Sequence, residues 1–190
     1  MRKFALLAAC LLMLGTAGLA QLEPPKLEVP RTEFFIGYAY QYTNPDQPQV
    51  GNTHLNGFAF ETSHYFKKSD LGLTMDLGHQ ANSRVDNTGI KYSRSTYLIG
   101  PTYRFHNVGF WTANVHALVG LDHSVYTLTE TSTTYKLNDT GMAVMTGVTV
   151  DGNLSRRLGI RLAQVDYVIT DHYSSMQSGI RYTGGVVIRF

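Results

Sequence analysis

The sequence predicts an all-β fold, an eight-stranded antiparallel transmembrane up-and-down β-barrel. Three observations lead to this prediction. Bulky residues alternate with small or polar ones along eight segments, short and long connections between these segments alternate, and charged side chains keep to one face of the strands. The segments have roughly ten residues each, which is the length of a tilted strand that crosses a bilayer.

The first predicted strand shows the alternation that recurs in the others. Between Glu33 and Tyr42, aromatic and aliphatic side chains occupy every second position, and the positions between them are small or polar except for Phe35. A period of two residues is typical of a strand with two different faces. The other predicted strands run at about 55–66, 71–78, 95–105, 110–121, 141–150, 158–170 and 180–190.

The connections predict the orientation of the barrel. Transmembrane barrels have short periplasmic turns and longer outer loops, and the predicted connections alternate in the same way. We therefore expect both chain termini on the periplasmic side. Residues 67–70, 106–109 and 151–157 form the short connections, and residues 43–54, 80–94 and 121–140 form the long ones.

The charged residues indicate which face meets lipid. In strands one to six and in strand eight, the bulky face carries no Asp, Glu, Lys or Arg. A soluble barrel would reverse this arrangement, with apolar side chains inside and charges outside. The pattern therefore disfavours a periplasmic lipocalin-like binder. The charged residues of the small or polar face are Glu33, Glu61, Asp76, Arg104, Arg181 and Arg189.

The N-terminal segment is predicted to direct export. Arg2 and Lys3 precede an apolar run and a small-residue stretch, so residues 1–20 are expected to be a signal peptide. Residues 21–32 contain three prolines and read as a Pro-rich periplasmic linker, which leaves residues 33–190 for the barrel domain. No later segment reaches the roughly 18–20 apolar residues of a spanning helix, so any span must consist of strands.

Charge and cysteine content exclude several classes of function. The sequence has 16 basic and 14 acidic side chains, and loss of Arg2 and Lys3 with the leader makes these numbers equal. A nucleic-acid-binding domain needs a basic stripe, so we expect no nucleic-acid partner. The only cysteine, Cys10, lies in the leader, which leaves no disulfide or thiolate site. The histidines are scattered without metal-ligand spacing, and we predict no metal and no cofactor.

Three motifs and the strand count carry a resemblance to a known family. The motifs are Phe35-Ile36-Gly37-Tyr38, Ile99-Gly100-Pro101 and Gly185-Val186-Val187-Ile188-Arg189-Phe190. With eight predicted strands, the chain after Thr32 resembles the small OmpA-type and OmpX-type outer-membrane β-barrel family. This resemblance implies a monomer in the outer membrane of a Gram-negative-type bacterium, in contact with outer-membrane lipid and with the outer-membrane assembly machinery.

The C-terminal strand is similar to the insertion signal of such barrels. Tyr182, Val186, Ile188 and Phe190 occupy the usual hydrophobic positions of that signal, and Gly184 departs from it. The sequence stops at Phe190, without the peptidoglycan-binding domain that often follows such barrels. A role in tethering the membrane to the cell wall therefore loses its support.

The predicted interior carries two facing carboxylates. Eight strands enclose a space only just wide enough to be filled by side chains. A four-residue turn between strands two and three places Glu61 opposite Asp76, and like charges this close cannot both ionise cheaply. We expect that one carboxyl group holds a proton, that a cation lies between the two, or that an inward base bridges them. The candidate bases are Arg104, Arg161 and His116.

Strand seven breaks the alternation. If strict alternation is kept, Ile160 shares its face with Asp166, which exposes an acid to lipid at a high cost. A β-bulge near Ala163 and Gln164 would return Asp166 to the interior beside Arg181, because a bulge shifts the face register. The predicted interior charge network therefore comprises Glu61, Asp76, Arg104, Arg161, Asp166, Arg181 and His116.

These features predict a structural or surface-interaction role with a charged, plugged interior. A plug is favoured because inward acids and bases are nearly balanced and an unpaired buried charge is costly. A small ion-conducting channel is the alternative. The threonine-rich stretch at residues 127–134 has β propensity and is expected to lengthen strands five and six into a projecting hairpin, although the sequence names no surface ligand.

A lipid A or phospholipid hydrolase is the third alternative. His172 and Ser174 have the His-x-Ser spacing found in outer-membrane lipid hydrolases, in which a histidine activates a serine. Ser175 stands where these enzymes usually have Asn, and the third partner would have to be Asp171 or Glu130. We therefore predict no catalytic residues and no enzymatic function.

Overall fold

The structure is a computed structural model that describes residues 30–44, 53–67, 69–85, 90–130, 133–172 and 175–190. The predicted signal peptide and residues 21–29 of the predicted linker lie outside the described residues. Ser174 of the His-x-Ser motif also lies outside them.

Eight antiparallel strands form one closed barrel. Each strand pairs with the next along the chain, and β1 pairs with β8 to close the sheet. This confirms the predicted fold class. In the described part of the chain, no helix is long and apolar enough to cross a membrane. The strands are β1 Thr32–Asn44, β2 Thr53–Tyr65, β3 Leu71–Val85, β4 Ile90–Val108, β5 Trp111–Glu130, β6 Thr133–Asn153, β7 Leu158–His172 and β8 Ser175–Arg189.

Several strands are longer than the sequence predicts. β4, β5 and β6 contain 19, 20 and 21 residues, about twice the length that a tilted strand needs to cross a bilayer. The long loop predicted at residues 121–140 is therefore wrong, because β5 and β6 stay paired as far as Glu130 and Thr133. Most of the loop predicted at residues 80–94 is also strand. The predicted projecting hairpin of β5 and β6 is confirmed, and β-branched threonines on both strands favour it.

The barrel is apolar outside and polar inside. Ile36, Leu73 and Val119 expose 59%, 46% and 47% of their surface, whereas arginines and acids of the same sheet are buried in the interior. On β5 the outer apolar belt runs from Trp111 to Leu121, about the 9–11 residues that span a bilayer when tilted. A soluble barrel has the opposite arrangement. The outer face is therefore a lipid-facing belt.

The two ends of the barrel differ. At one end, called the turn end here, β2–β3, β4–β5 and β6–β7 are joined by short connections, and Gly109 adopts a φ of 63° in the second of them. Only residues without a Cβ adopt this conformation freely. At the opposite end, called the loop end here, the β5–β6 hairpin projects beyond the belt.

The predicted bulge in β7 is confirmed. The pairing of β7 with β8 shifts register between Arg161 and Gln164, and beyond the shift Asp166 lies opposite Arg181. Asp166 is fully buried, and Tyr167 faces outward. The extra residue therefore keeps a carboxylate out of the lipid-facing belt, which would otherwise carry a charge.

An apolar layer separates two polar regions on the β4–β7 side of the interior. Five buried residues of β4 to β7 form this layer: Leu98, Leu118, Ala143, Met145 and Val168. Along β5, Leu118 lies between His116, on the turn-end side, and Asp122, on the loop-end side. Along β7, Val168 separates Asp166 from His172 in the same way. On this side of the barrel the two polar regions are therefore apart, whereas on the other side Gln41 lies directly opposite Arg181.

Candidate functional site

Asp166 is the centre of the larger polar region. Its carboxylate accepts hydrogen bonds from Arg181 Nε at 2.9 Å and from Gln164 Nε2 at 2.9 Å, and it lies 3.0 Å from His116 Nε2. Gly147 provides the space, since a Cβ at that position would lie 2.1 Å from Asp166 Oδ1. Four strands thus contribute to one buried carboxylate.

Glu61 and Asp76 lie opposite each other, as the turn between β2 and β3 predicts. Each carboxylate has its own arginine. Arg161 Nη1 donates to Glu61 at 3.0 Å, and Arg181 donates to both oxygens of Asp76 at 2.9 and 2.7 Å. A planar guanidinium matches a carboxylate in this bidentate geometry. No single base bridges the pair among the described contacts, because Arg161, one of the candidate bases, binds Glu61, and Arg181, which was not among the candidates, binds Asp76.

The network continues toward the turn end through Asp151. Arg161 Nε donates to Asp151 at 3.0 Å, and Arg189 donates to Asp151 at 3.4 Å and to Glu33 at 2.7 Å. Arg104 donates to the same Glu33 oxygen at 3.1 Å. The sequence assigned Asp151 to a turn, but β6 continues to residue 153, which turns this side chain inward.

Two aromatic rings cover guanidinium groups of this network. Arg161 lies over the ring of Phe35 at 4.2 Å, and Arg104 lies over the ring of Tyr65 at 3.7 Å. Phe35 is the residue that departs from the alternation of β1. Its inward position allows its ring to cover the guanidinium group of Arg161. Cation–π contacts are stronger when both groups are desolvated.

All seven residues of the predicted network belong to one connected set, which we call the central network. Gln164 links its two arms, because it accepts a hydrogen bond from Arg161 at 2.7 Å and donates one to Asp166. Glu33, Asp151, Arg189 and Gln164 join the set in addition. Removing one partner of a buried ion pair costs about 3–5 kcal/mol. The ion-paired side chains of the central network therefore hold together the strands that carry them.

A second charged group, which we call the loop-end cluster, lies beyond the apolar layer. Asp122 contacts Arg94, and His172 Nε2 lies 3.1 Å from Asp122 while His172 Nδ1 lies 3.2 Å from Asp139. Ser124 Oγ lies 3.2 Å from His172 Nε2. The sequence placed most of these residues in loops. The continued alternation of Asp122, Ser124 and Tyr126 was the available signal.

His172 is held by the carboxylates of Asp122 and Asp139. It lies beyond the lipid-facing belt, since its neighbour Asp171 is exposed outward. Burial lowers the pKa of His172, but hydrogen bonds from its ring to Asp122 and Asp139 outweigh burial and raise the pKa. Only the charged ring donates from both nitrogens. The contacts therefore favour a structural ion pair over a general base.

Neutral polar groups near the loop-end cluster are buried without partners. Both side-chain amide atoms of Gln41 and Gln177 lack a hydrogen-bond partner within the described residues, as do Gln80 Oε1 and Thr170 Oγ1. Each unsatisfied buried polar group costs about 1–3 kcal/mol. The described residues also contain no group of three His, Cys, Asp or Glu that could hold a metal ion.

Comparison with known proteins identifies the fold. No protein-family model and no curated protein sequence matches the chain. Ail, the attachment invasion locus protein of Yersinia pestis, matches with a TM-score of 0.65 and 14% identity over 84% of this chain and 99% of that one. Neisserial surface protein A matches with a TM-score of 0.61 and 14% identity over 84% and 97%.

A third structure, OprG from Pseudomonas aeruginosa, is an outer membrane protein. It matches with a TM-score of 0.50 and 9% identity over 86% of this chain and 98% of that one. At these identities the likeness concerns the fold alone. The chain therefore has the fold of the small eight-stranded outer-membrane β-barrels.

Proposed function

We propose that this chain is an integral outer-membrane protein of a Gram-negative-type bacterium that is closed inside and acts at the cell surface. The central network carries the first half of this proposal. Within the described interior, each buried Asp, Glu and Arg contacts a group of opposite charge. Eight strands leave little room beyond such side chains, so the paired charges act as a plug.

The proposed assembly route follows from both ends of the chain. Residues 1–20 direct export, residues 21–32 link to the barrel, and the terminal aromatic strand serves the assembly machinery. Phe190 supports this assignment, because its ring packs edge-to-face on Phe34 at 5.7 Å. Arg189 adds an ion pair across the same β1–β8 closure. The barrel needs no second subunit to cover an edge, which agrees with a monomer.

The projecting β5–β6 hairpin carries the surface role. Tyr135 and Leu137 expose 59% and 64% of their surface beyond the belt. Among the described residues, β6 pairs with β7 only from Ala143 onward, so the outer part of β6 has a free edge. Exposed apolar side chains and a free strand edge both favour binding of another macromolecule. Ail, which shares the fold, has been captured with the heparin analogue sucrose octasulfate.

Three measurements test this proposal. Refolded protein should give no steady ion steps in planar bilayers, and steady steps would favour the channel.

A cysteine replacing exposed Thr134 should react with an impermeant maleimide on intact cells, and one replacing exposed Ser69 should not. Cells displaying the chain should adhere to immobilised heparin, and Y135S/L137S should abolish adhesion.

Met176 provides the matched control for the adhesion measurement. It exposes 75% of its surface at the loop end but belongs to β8, so M176S should adhere like the unchanged chain. Equal loss in both variants would contradict the assignment to the hairpin.

A small channel remains the second candidate because of the unpartnered amides of Gln41 and Gln177. Water would satisfy these groups if side chains moved apart. A hydrolase has less support, since both ring nitrogens of His172 contact carboxylates and neither is left to accept a proton from a serine. Release of fatty acid from phospholipid or lipid A by the purified barrel would revive that alternative.

A further inference from the structure

A row of polar side chains lies on the outer face of the barrel, at the loop-end limit of the lipid-facing belt. Its members are directly opposed across four strands: His79 faces Ser95, Ser95 faces His123, and His123 faces Thr140. His79 Nδ1 lies 2.9 Å from Ser95 Oγ, and His123 Nδ1 lies 2.7 Å from Thr140 Oγ1. We call this the histidine row. The outward residues next to it on the belt side are Leu77, Tyr97, Leu121 and Met142.

A second row lies four residues farther out on the same face. Lys91 faces Thr127, and Thr127 faces Lys136. The distance between the two rows is about 13 Å along the strands, at roughly 3.3 Å per residue. Beyond the belt, the outward-facing residues of β3 to β6 whose side chains the structure describes include no Asp or Glu. Asp122 and Asp139 belong to the inward face of the same strands. The outer face of β3 to β6 is therefore cationic, and the nearest described outward carboxylate is that of Asp171 on the neighbouring strand β7.

An apolar groove ends at the histidine row. Phe58 and Phe60 of β2 form one wall, and Leu77 and Tyr97 form the other. The groove has a volume of about 350 Å³ and reaches His79 and Ser95 at one end. It opens on the face that contacts lipid. An apolar groove that ends in hydrogen-bonding groups matches a molecule with an acyl chain and a polar headgroup.

We propose that the groove and the two rows bind an anionic, phosphorylated lipid of the outer leaflet. One acyl chain lies in the groove, the phosphate contacts the histidine row, and Lys91 and Lys136 contact negative charge farther from the membrane. The Nδ1 atoms of both histidines already bond hydroxyl groups, which leaves Nε2 of each ring for the phosphate. This inference rests on the proposed membrane location, with the loop end facing outward.

Binding fits the His79–Ser95 pair better than hydrolysis does. A serine and a histidine at this distance resemble a nucleophile and its base. A base of this kind is normally oriented by a third group. Among the described contacts of His79 there is no carboxylate, only Ser95 and the ring of Phe58. The pair is therefore assigned to headgroup contact.

Native mass spectrometry of the detergent-solubilised full barrel tests the site. The probes are diphosphorylated lipid A, the same lipid without phosphates, and zwitterionic phosphatidylcholine. The unchanged chain should retain the phosphorylated lipid, and H79A/H123A should bind it about tenfold more weakly, as expected for loss of hydrogen bonds to a charged group. K91Q/K136Q should weaken binding by a smaller factor, because the lysines are more exposed.

His64 provides the matched control. It also faces outward and lies 3.0 Å from a hydroxyl group, that of Thr32, but at the turn end. H64A should therefore bind lipid like the unchanged chain. Equal retention by H79A/H123A, or equal binding of the dephosphorylated lipid, would overturn the site.

Migration on gels with and without boiling shows whether the chain folds into a barrel. This measurement separates failure of the lipid site from failure of the proposed membrane location. A chain that never folds into membranes would overturn the location on which the site depends. A folded barrel without preference for the phosphorylated lipid would overturn the site alone.

Discussion

The two polar regions of the interior differ in which buried groups lack hydrogen-bond partners. In the central network they are single atoms of ion-paired side chains, namely Glu33 Oε2, Arg104 Nε and Arg189 Nη1, and nearer the loop end they include whole amide groups. In the central network, Asp166, Asp76 and Glu61 are each bound by arginine, and Gln164 links them through both of its amide atoms. Nearer the loop end, Gln41 and Gln177 make no described hydrogen bond through their amides. Both regions are equally buried, so burial does not explain the difference.

This difference shows where the barrel resists change and where it can admit water. Buried charges must be compensated, since an uncompensated one costs several kcal/mol. Neutral amides tolerate a missing partner at about 1–3 kcal/mol each. We therefore expect the central network to hold the strands together, and the loop-end region to be the part of the interior that hydrates first.

Loss of Arg181 should have the largest effect on stability. R181A leaves Asp76 and Asp166 without their shared guanidinium, and we expect the free energy of unfolding to fall by about 3–5 kcal/mol. Urea unfolding of the refolded barrel measures this change. R157A, at an exposed turn position, should leave stability nearly unchanged. Similar values for both variants would mean that the network does not stabilise the barrel.

Replacing Asp76 by its amide should have the next largest effect. D76N keeps the shape of the side chain but removes the charge that Arg181 binds at both oxygens. We expect a loss of about 1.5–3 kcal/mol, the range for hydrogen bonds to charged groups. E61Q is the companion variant, with a single guanidinium contact and a smaller loss. If D76N unfolded at the same urea concentration as the unchanged chain, a shared proton would again be the better explanation.

Two glutamine substitutions compare the regions directly. Q41L removes an unpartnered amide and should stabilise the barrel by about 1 kcal/mol, whereas Q164L breaks partnered bonds and should destabilise it by at least that much. The same urea measurement compares both. Planar-bilayer recordings would also show whether Q41L lowers any residual conductance. Destabilisation of equal size in both variants would remove the distinction between the regions.

The loop-end cluster should give the smallest effect, and one that depends on pH. Because contacts with Asp122 and Asp139 raise the pKa of His172, its stabilising contribution is fully present below the ordinary pKa of about 6.5. The contribution is lost as pH rises through the higher folded-state pKa. The stability difference between the unchanged chain and H172Q should therefore shrink on going to alkaline pH. A stability difference that grows with pH would contradict the assignment of a charged His172 that is held by Asp122 and Asp139.

Local patterns in the sequence were sufficient for the number and order of the strands, the lipid-facing face and one cross-strand pair. The alternation of β3 and the short turn before it placed Glu61 opposite Asp76, and the misplaced Asp166 predicted the bulge in β7. These features depend on neighbouring residues and neighbouring strands. A period of two residues and a turn length therefore contain enough information for them.

The bulge also predicted the Asp166–Arg181 pair on neighbouring strands, but the ionic partners across the lumen were decided by the tertiary structure alone. Arg181 reaches Asp76 across the lumen from a position 105 residues later in the chain, and this contact depends on the tilt and stagger of all eight strands. The loop-end cluster was missed for a related reason, although the threonine-rich stretch did predict the projecting β5–β6 hairpin. Beyond the membrane a strand no longer needs an apolar face, so its sequence resembles a loop until closure of the barrel pairs it with its neighbours.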